Sequence, residues 1–270
     1  MSSVERKLEG AFSYREATPP GSERGSPVLL VHGFPESSLM WEPLMAPLSA
    51  AGRRCIAPDL YGFGDSTDDG PATFETNLSA LTAFHQELDL GTVALIVHDW
   101  GGFVGLAWAC EHPESVEALV ISDTGFFADG KWHGMAEAIR GPDGGAFAEA
   151  MNRGAFEAMM RSQSSGFGDE EIAAYWEPFE SGRGRRSMLE FYRSMDFEKL
   201  TPYQGRLASL GAPTLLLWGE TDEFAPVAGA KRMQREVPGA ELVVIEGAGH
   251  FVYDDEPQRC AAEVQRFLSR

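Results

Sequence analysis

Positive charge is scarce in this 270-residue chain: 22 Lys and Arg stand against 41 Asp and Glu, a formal net charge of −19. That balance argues against nucleic acid and anionic membrane surfaces as partners, because both need basic groups to meet phosphate. It also disfavours anionic substrates, and it serves solubility. Cysteine is scarcer still. Cys55, Cys110 and Cys260 are odd in number, lack metal-ligand spacing and sit in apolar contexts, so buried reduced thiols are expected rather than a disulfide framework. No stretch approaches the roughly 18 apolar residues of a membrane span. The opening residues, Met1-Ser-Ser-Val-Glu-Arg-Lys7, are charged where a secretory leader would be apolar. The expected location is cytoplasmic. The length suits one large α/β domain, or one domain with an insertion.

What is present centres on Val93-Ala-Leu-Ile-Val-His-Asp-Trp-Gly-Gly102. Its apolar first half reads as a fully buried strand. Phe103 to Glu111 is apolar at helical spacing. Strand, abrupt turn and helix make a nucleophile elbow, in which a strained turn lifts one side chain above the end of a sheet. Gly101 and Gly102 suit the close helix–strand packing of such a turn. At its tip, where the G-x-S-x-G motif carries Ser, this chain carries Asp99.

Elsewhere, Gly10 to Ala17 reads as an edge strand, Pro27 to Val31 as a buried one, and Arg53 to Leu60 as a third. Helices are expected over about Leu39 to Ala50 and Phe74 to Leu90. Val116 to Ser122 is a further apolar strand. Strands alternating with helices imply a mostly parallel, twisted sheet covered on both faces. The rhythm then stops: 125–207 has helical stretches and no convincing strand. It resumes with strands at Pro213 to Gly219 and Glu241 to Ile245, and ends in a helix from about Glu256 to Leu268. The expected organisation is an α/β core from 1–124 and 208–270, with 125–207 inserted as a helical cap over the sheet's edge.

In a parallel sheet, reactive groups gather at the carboxyl ends of strands. Four such ends carry polar residues here: His32-Gly-Phe-Pro35, Asp99, Asp222 and His250. Nucleophile, acid, histidine is the chain order of the α/β-hydrolase elbow, with Asp in place of Ser. The substitution has a chemical reason. A hydroxyl must lose a proton to attack, and an alkylated Ser would be an ether that water does not readily cleave. A carboxylate is already ionised at neutral pH and can displace a leaving group at saturated carbon. Its product is an ester, whose carbonyl carbon water can attack. Asp99 is thus the candidate nucleophile, His250 the general base and Asp222 the acid that orients the imidazole. The backbone N–H groups of Phe34 and Trp100 are the candidate oxyanion hole. Asp123 is a second position for the acid. His32 and His98 are expected to brace turns, His85 and His112 to be structural, and Asp254-Asp255 to be a solvated approach to the last helix.

His32-Gly-Phe-Pro-Glu36, Asp59-Leu-Tyr-Gly-Phe-Gly-Asp-Ser66 and His98-Asp-Trp-Gly-Gly102 resemble the α/β-hydrolase superfamily in its aspartate-nucleophile branch, the soluble epoxide hydrolases and haloalkane dehalogenases. The resemblance implies the α/β-hydrolase fold, no cofactor, no metal, a small apolar electrophilic substrate, a monomer or homodimer, and a cis bond before Pro35. It covers the core and is weaker through the cap. Epoxide hydrolases of this branch hold the epoxide oxygen with cap tyrosines. Leu189-Glu-Phe-Tyr-Arg-Ser-Met195 resembles one such segment and points to Tyr192. No second tyrosine lies in the corresponding stretch, which offers Trp132 and His133. Dehalogenases need two N–H donors to halide. Trp100 is one by position, Phe34 cannot donate from its side chain, and Trp132 is a candidate for the other. Trp100, where fluoroacetate-specific relatives have Arg, counts against small charged haloacids. Epoxide hydrolysis is the expected activity, haloalkane dehalogenation the alternative. A non-catalytic small-molecule receptor is more distant, since a receptor needs no intact triad.

Overall fold

The computed structural model describes residues 3–10, 12–66 and 70–270. The chain opens with an antiparallel pair, β1 (Val4–Glu9) and β2 (Phe12–Ala17). Next come β3 (Val28–Val31), a 3-10 turn at Ser38–Trp41 capped by the Ser37 hydroxyl, α1 (Glu42–Ala50) and β4 (Cys55–Pro58). Then follow α2 (Phe74–Glu87), β5 (Val93–His98), α3 (Trp100–Glu111) and β6 (Val116–Ser122). Between β6 and the next strand lie only helices and loops among the described residues: α4 (Gly134–Arg140), α5 (Gly144–Ala150), α6 (Arg153–Gln163), α7 (Asp169–Glu180), α8 (Arg183–Ser194), a 3-10 stretch at Phe197–Tyr203 and α9 (Arg206–Ser209). The chain closes with β7 (Thr214–Gly219), α10 (Val227–Glu236), β8 (Glu241–Ile245), α11 (Val252–Asp255) and α12 (Pro257–Leu268).

The strands form one sheet in the order β1-β2-β4-β3-β5-β6-β7-β8. β1, β2 and β4 pair antiparallel, and every later pair is parallel. The period-2 alternation of a strand divides the core between the two faces. Val93, Leu95 and Val97 of β5 join one cluster with Phe84 of α2 and Leu106 of α3; Ala94 and Ile96 join the other with Leu48 of α1 and Val264 of α12. A strand buried on both faces has no polar alternation to show, which is why these stretches read as continuous apolar runs. All three cysteines are buried and free, and burial pushes the thiols of Cys55 and Cys110 up to about 12. No helix among the described residues is long and apolar enough to cross a membrane.

Two expectations need correction. β1 was not foreseen: VERKLE is a charged, largely exposed edge, stabilised by its ladder to β2 rather than by apolar burial. Asp254 and Asp255 are not a solvated approach. Asp255 accepts hydrogen bonds from the Gly249 N–H at 2.7 Å and the Ser164 hydroxyl at 2.5 Å, and Oδ2 of Asp254 is buried. The strand expected from Gly10 starts at Phe12; Ala11, within that expectation, and Met1 and Ser2, within the expected leader-free start, lie outside the described residues.

Candidate active site

The turn between β5 and α3 places Asp99 at φ +48°, ψ −118°. A left-handed φ in a non-glycine residue costs about 1–3 kcal/mol and persists only where surrounding packing enforces it. Here the enforcement is visible on both sides. The Gly102 N–H donates to the Asp99 carbonyl at 2.9 Å, and the Thr124 hydroxyl donates to the same carbonyl at 2.7 Å. Gly101 lets α3 start hard against β3, since a Cβ there would overlap the Val31 carbonyl oxygen.

The Asp99 carboxylate is held from two directions. Oδ1 accepts the Phe34 N–H at 2.7 Å, and Oδ2 lies 3.4 Å from Nε2 of His250. Although burial opposes ionisation, His250, His98 and the Phe34 N–H keep the carboxyl below its ordinary range. The Phe34–Pro35 bond is cis. His32 braces this turn as expected: Nδ1 donates to the Gly33 carbonyl at 2.8 Å, and Nε2 accepts the Leu60 N–H at 2.9 Å. The Trp100 indole stacks between Phe34, at 4.7 Å, and Phe191, at 4.1 Å.

His250 follows β8 and Asp222 follows β7. Nδ1 of His250 lies 2.9 Å from Oδ2 of Asp222. Oδ1 of Asp222 accepts the N–H groups of Phe224, at 2.7 Å, and Ala225, at 2.9 Å. Burial works against its charge, but His250 and these two donors hold the carboxyl down to about 2. Burial also disfavours the imidazolium of His250, and the two carboxylates outweigh it, raising its pKa well above the ordinary histidine range. With one nitrogen bound to Asp222, the other faces Asp99. Nε2 lies within reach of a group bound at the Asp99 carboxylate.

A cavity of about 260 Å³ opens above this pair, lined by Asp99, Trp100, Trp132, His133 and His250 among a mostly apolar wall. A smaller one of about 30 Å³ adjoins it and adds Phe34 and Tyr192. Tyr192, on α8, is buried edge-on against Trp100 at 4.7 Å. Burial first, and the Asp99 charge second, raise its pKa well above that of a free phenol, and the neighbouring Trp100 indole opposes them only in part. The phenol therefore keeps its proton at neutral pH. His133 caps α4, with Nδ1 accepting the Ala136 N–H at 3.4 Å. Burial holds this imidazole below its ordinary pKa, so it stands as a neutral ring whose Nε2 carries the proton. The His133 and Tyr192 rings are 6.4 Å apart. The Trp132 indole N–H is buried without a hydrogen-bond partner in the protein.

The candidate nucleophile, base, acid, oxyanion-hole and leaving-group residues named from the sequence lie around these two cavities, with Asp222 behind His250, whereas His85 and His112 lie elsewhere. Sequence reasoning missed Thr124, which steadies the elbow, and Asp255, which holds the loop entering His250. Neither has a motif: Thr124 acts through one hydrogen bond to the Asp99 carbonyl, and Asp255 through the Gly249 N–H and the Ser164 hydroxyl. His98 is buried, and burial pulls its pKa down to about 3. Its ring lies 5.0 Å from that of His250, and its Nε2 is 3.5 Å from the buried Glu36.

The alpha/beta hydrolase fold model matches residues 26–257 of the chain. A haloalkane dehalogenase of Sphingobium indicum is 30% identical, over 91% of this chain and 89% of its own. Epoxide hydrolase 2 of Caenorhabditis elegans is 27% identical, over 92% and 75%. A cis-3-alkyl-4-alkyloxetan-2-one decarboxylase of Xanthomonas campestris pv. campestris is 26% identical, over 96% and 93%.

Proposed function

The chain belongs to the alpha/beta hydrolase fold family and is a hydrolase of it, and from that premise we propose that it hydrolyses a small, largely apolar epoxide to a diol through an ester of Asp99. Residues 125–207 act as the cap that supplies the acid. The observation that carries the reading is Tyr192: a buried phenol, kept protonated by burial and the Asp99 charge, that lines one cavity with Asp99 and His250.

The steps follow from the contacts. Oδ1 of Asp99 is occupied by the Phe34 N–H, so Oδ2 is the atom that attacks the ring carbon. The epoxide C–O bond breaks, and the oxygen leaving carbon takes the Tyr192 proton, with the neutral His133 as the second donor. The product is a neutral ester whose carbonyl oxygen, Oδ1, already sits against the Phe34 N–H. The N–H of Trp100, next in the chain, completes the oxyanion hole. Water then attacks the carbonyl carbon as Nε2 of His250 takes its proton. The proton that the resting imidazolium gave up has by then restored the Tyr192 phenol. The proton Nε2 takes from water passes to the alkoxide as the acyl C–O bond breaks and the diol leaves. The new Asp99 carboxyl returns its own proton to Nε2, restoring the carboxylate and the resting imidazolium. Asp222 holds the imidazolium in the meantime.

One observation favours a second reading, haloalkane dehalogenation. The unpartnered Trp132 N–H lines the same cavity and could hold a departing halide. A paired assay separates the two: styrene oxide with diol measured, and a 1-bromoalkane with bromide and acid measured. Diol formation that falls about 10²-fold or more in Tyr192→Phe, with Trp132→Phe little affected, supports the epoxide reading. Bromide release that depends on Trp132 and not on Tyr192 overturns it in favour of the halide. Carbon dioxide released from a dialkyl oxetan-2-one, with neither of the other products, overturns both.

A further inference from the structure

Two carboxyls stand behind His250, and only one is equipped to be charged. Asp222 faces the imidazole at 2.9 Å and two backbone N–H groups at 2.7 and 2.9 Å. Asp123 follows β6 at φ +45° and is fully buried. Its Oδ1 accepts the Gly219 N–H at 2.9 Å, and its Oδ2 meets no protein donor. The two carboxyls are neighbours, and the Asp222 charge bears directly on Asp123. Of the other titratable groups near Asp123, Tyr253 and Cys260 are pushed up and neutral, and the imidazolium of His250, whose charge favours ionisation of Asp123, is bound at 2.9 Å to Asp222 instead.

Two carboxylates in contact in a dry interior cannot both ionise, because neither has a donor for the other and the repulsion is unscreened. One proton removes the repulsion and supplies the missing hydrogen bond. It belongs on the member with fewer donors and no cation. Burial and the Asp222 charge both raise the pKa of Asp123 well above the carboxylate range, in keeping with that placement.

We propose that Asp123 stays protonated and donates a hydrogen bond to Asp222, so that the pair carries one negative charge and Asp123 acts as a positioning residue for the acid of the triad. The proton matters for catalysis. A second negative charge here would stabilise the imidazolium further and keep His250 protonated at the step that needs the neutral ring. A neutral donor fixes the Asp222 carboxylate in plane with Nδ1 and leaves the basicity of His250 to Asp222 and Asp99.

The proposal rests on the Asp99 ester, and its test keeps the two separable. Ester formation and ester hydrolysis are measured in single turnover with styrene oxide, by quench and intact mass. Asp123→Asn keeps shape and donor, and is expected to hydrolyse the ester within severalfold of the parent protein. Asp123→Leu keeps the branching at Cγ in a larger side chain without the donor, and is expected to slow hydrolysis about ten- to a hundredfold while ester formation is spared. Asp123→Asn as slow as Asp222→Asn would make Asp123 the ionised acid and overturn the proposal. So would Asp123→Leu hydrolysing at the parental rate. Infrared difference spectra of the parent protein minus Asp123→Asn, taken at neutral pH without substrate, should show the C=O band of a protonated carboxyl; its absence also overturns the proposal. If no variant forms an ester, the two-step reading has failed, and the infrared result still decides the protonation of Asp123.

Discussion

Nε2 of His250 lies 3.4 Å from Oδ2 of Asp99, so the base and the proposed nucleophile form an ion pair before substrate arrives. Opposite charges at this range attract by about 5 kcal/mol at an effective dielectric of about 20. Forming the ester removes the Asp99 charge and with it that support for the imidazolium. The histidine becomes a base at the step that needs one.

The pH dependence follows. In the resting protein the imidazolium persists well above the ordinary histidine range, whereas in the ester its pKa falls. Ester hydrolysis needs the neutral ring, so its rate should rise with pH with a midpoint below that of the resting imidazole. The check is a single-turnover hydrolysis profile set against a nitrogen NMR titration of His250. Coincident midpoints would show that Asp99 does not control the base.

The elbow makes a prediction about stability. A Cβ at Gly101 would overlap the Val31 carbonyl oxygen and crowd that of His32. These are backbone atoms of a central strand and its following turn, and they cannot turn aside. Gly101→Ala should destabilise the protein by about 1–3 kcal/mol, seen as a lower urea midpoint with an unchanged slope. An unaltered midpoint would mean that α3 can move away from β3 without loss.

A second buried carboxyl pair makes the opposite prediction. Glu36 and Asp254 lie against each other. Burial first raises the pKa of each, and for Glu36 the Asp254 charge adds to it. For an acid raised in the folded state, the unfolded chain ionises first, so stability falls as pH climbs above about 4. Asp254→Asn should therefore raise Tm near neutral pH by several degrees, with the gain fading toward pH 4. A gain independent of pH would assign the effect to packing instead.

These two pairs also mark where sequence reading stops. The elbow, the order Asp99–Asp222–His250 and the buried strands were legible because each rests on local pattern: a continuous apolar run, a turn composition, a polar residue at a strand end. Asp123 was visible only as a rival position for the acid, because its neutrality depends on Asp222 lying beside it. Asp254 looked like surface charge, because nothing nearby in sequence announces Glu36, more than two hundred residues earlier. β1 was missed because pairing with β2 rather than apolar periodicity forms it. Tyr192 and His133 were placed by resemblance; their protonation states come from burial and capping in the folded chain.

The central claim is a covalent ester on Asp99. The measurement is intact mass of His250→Gln after brief exposure to styrene oxide, followed by peptide mapping. The account predicts a stoichiometric mass increase equal to one styrene oxide, carried by the peptide holding Asp99 and lost in the Asp99→Ala, His250→Gln double variant. Unmodified protein that still forms diol would contradict it, as would an adduct on any other residue.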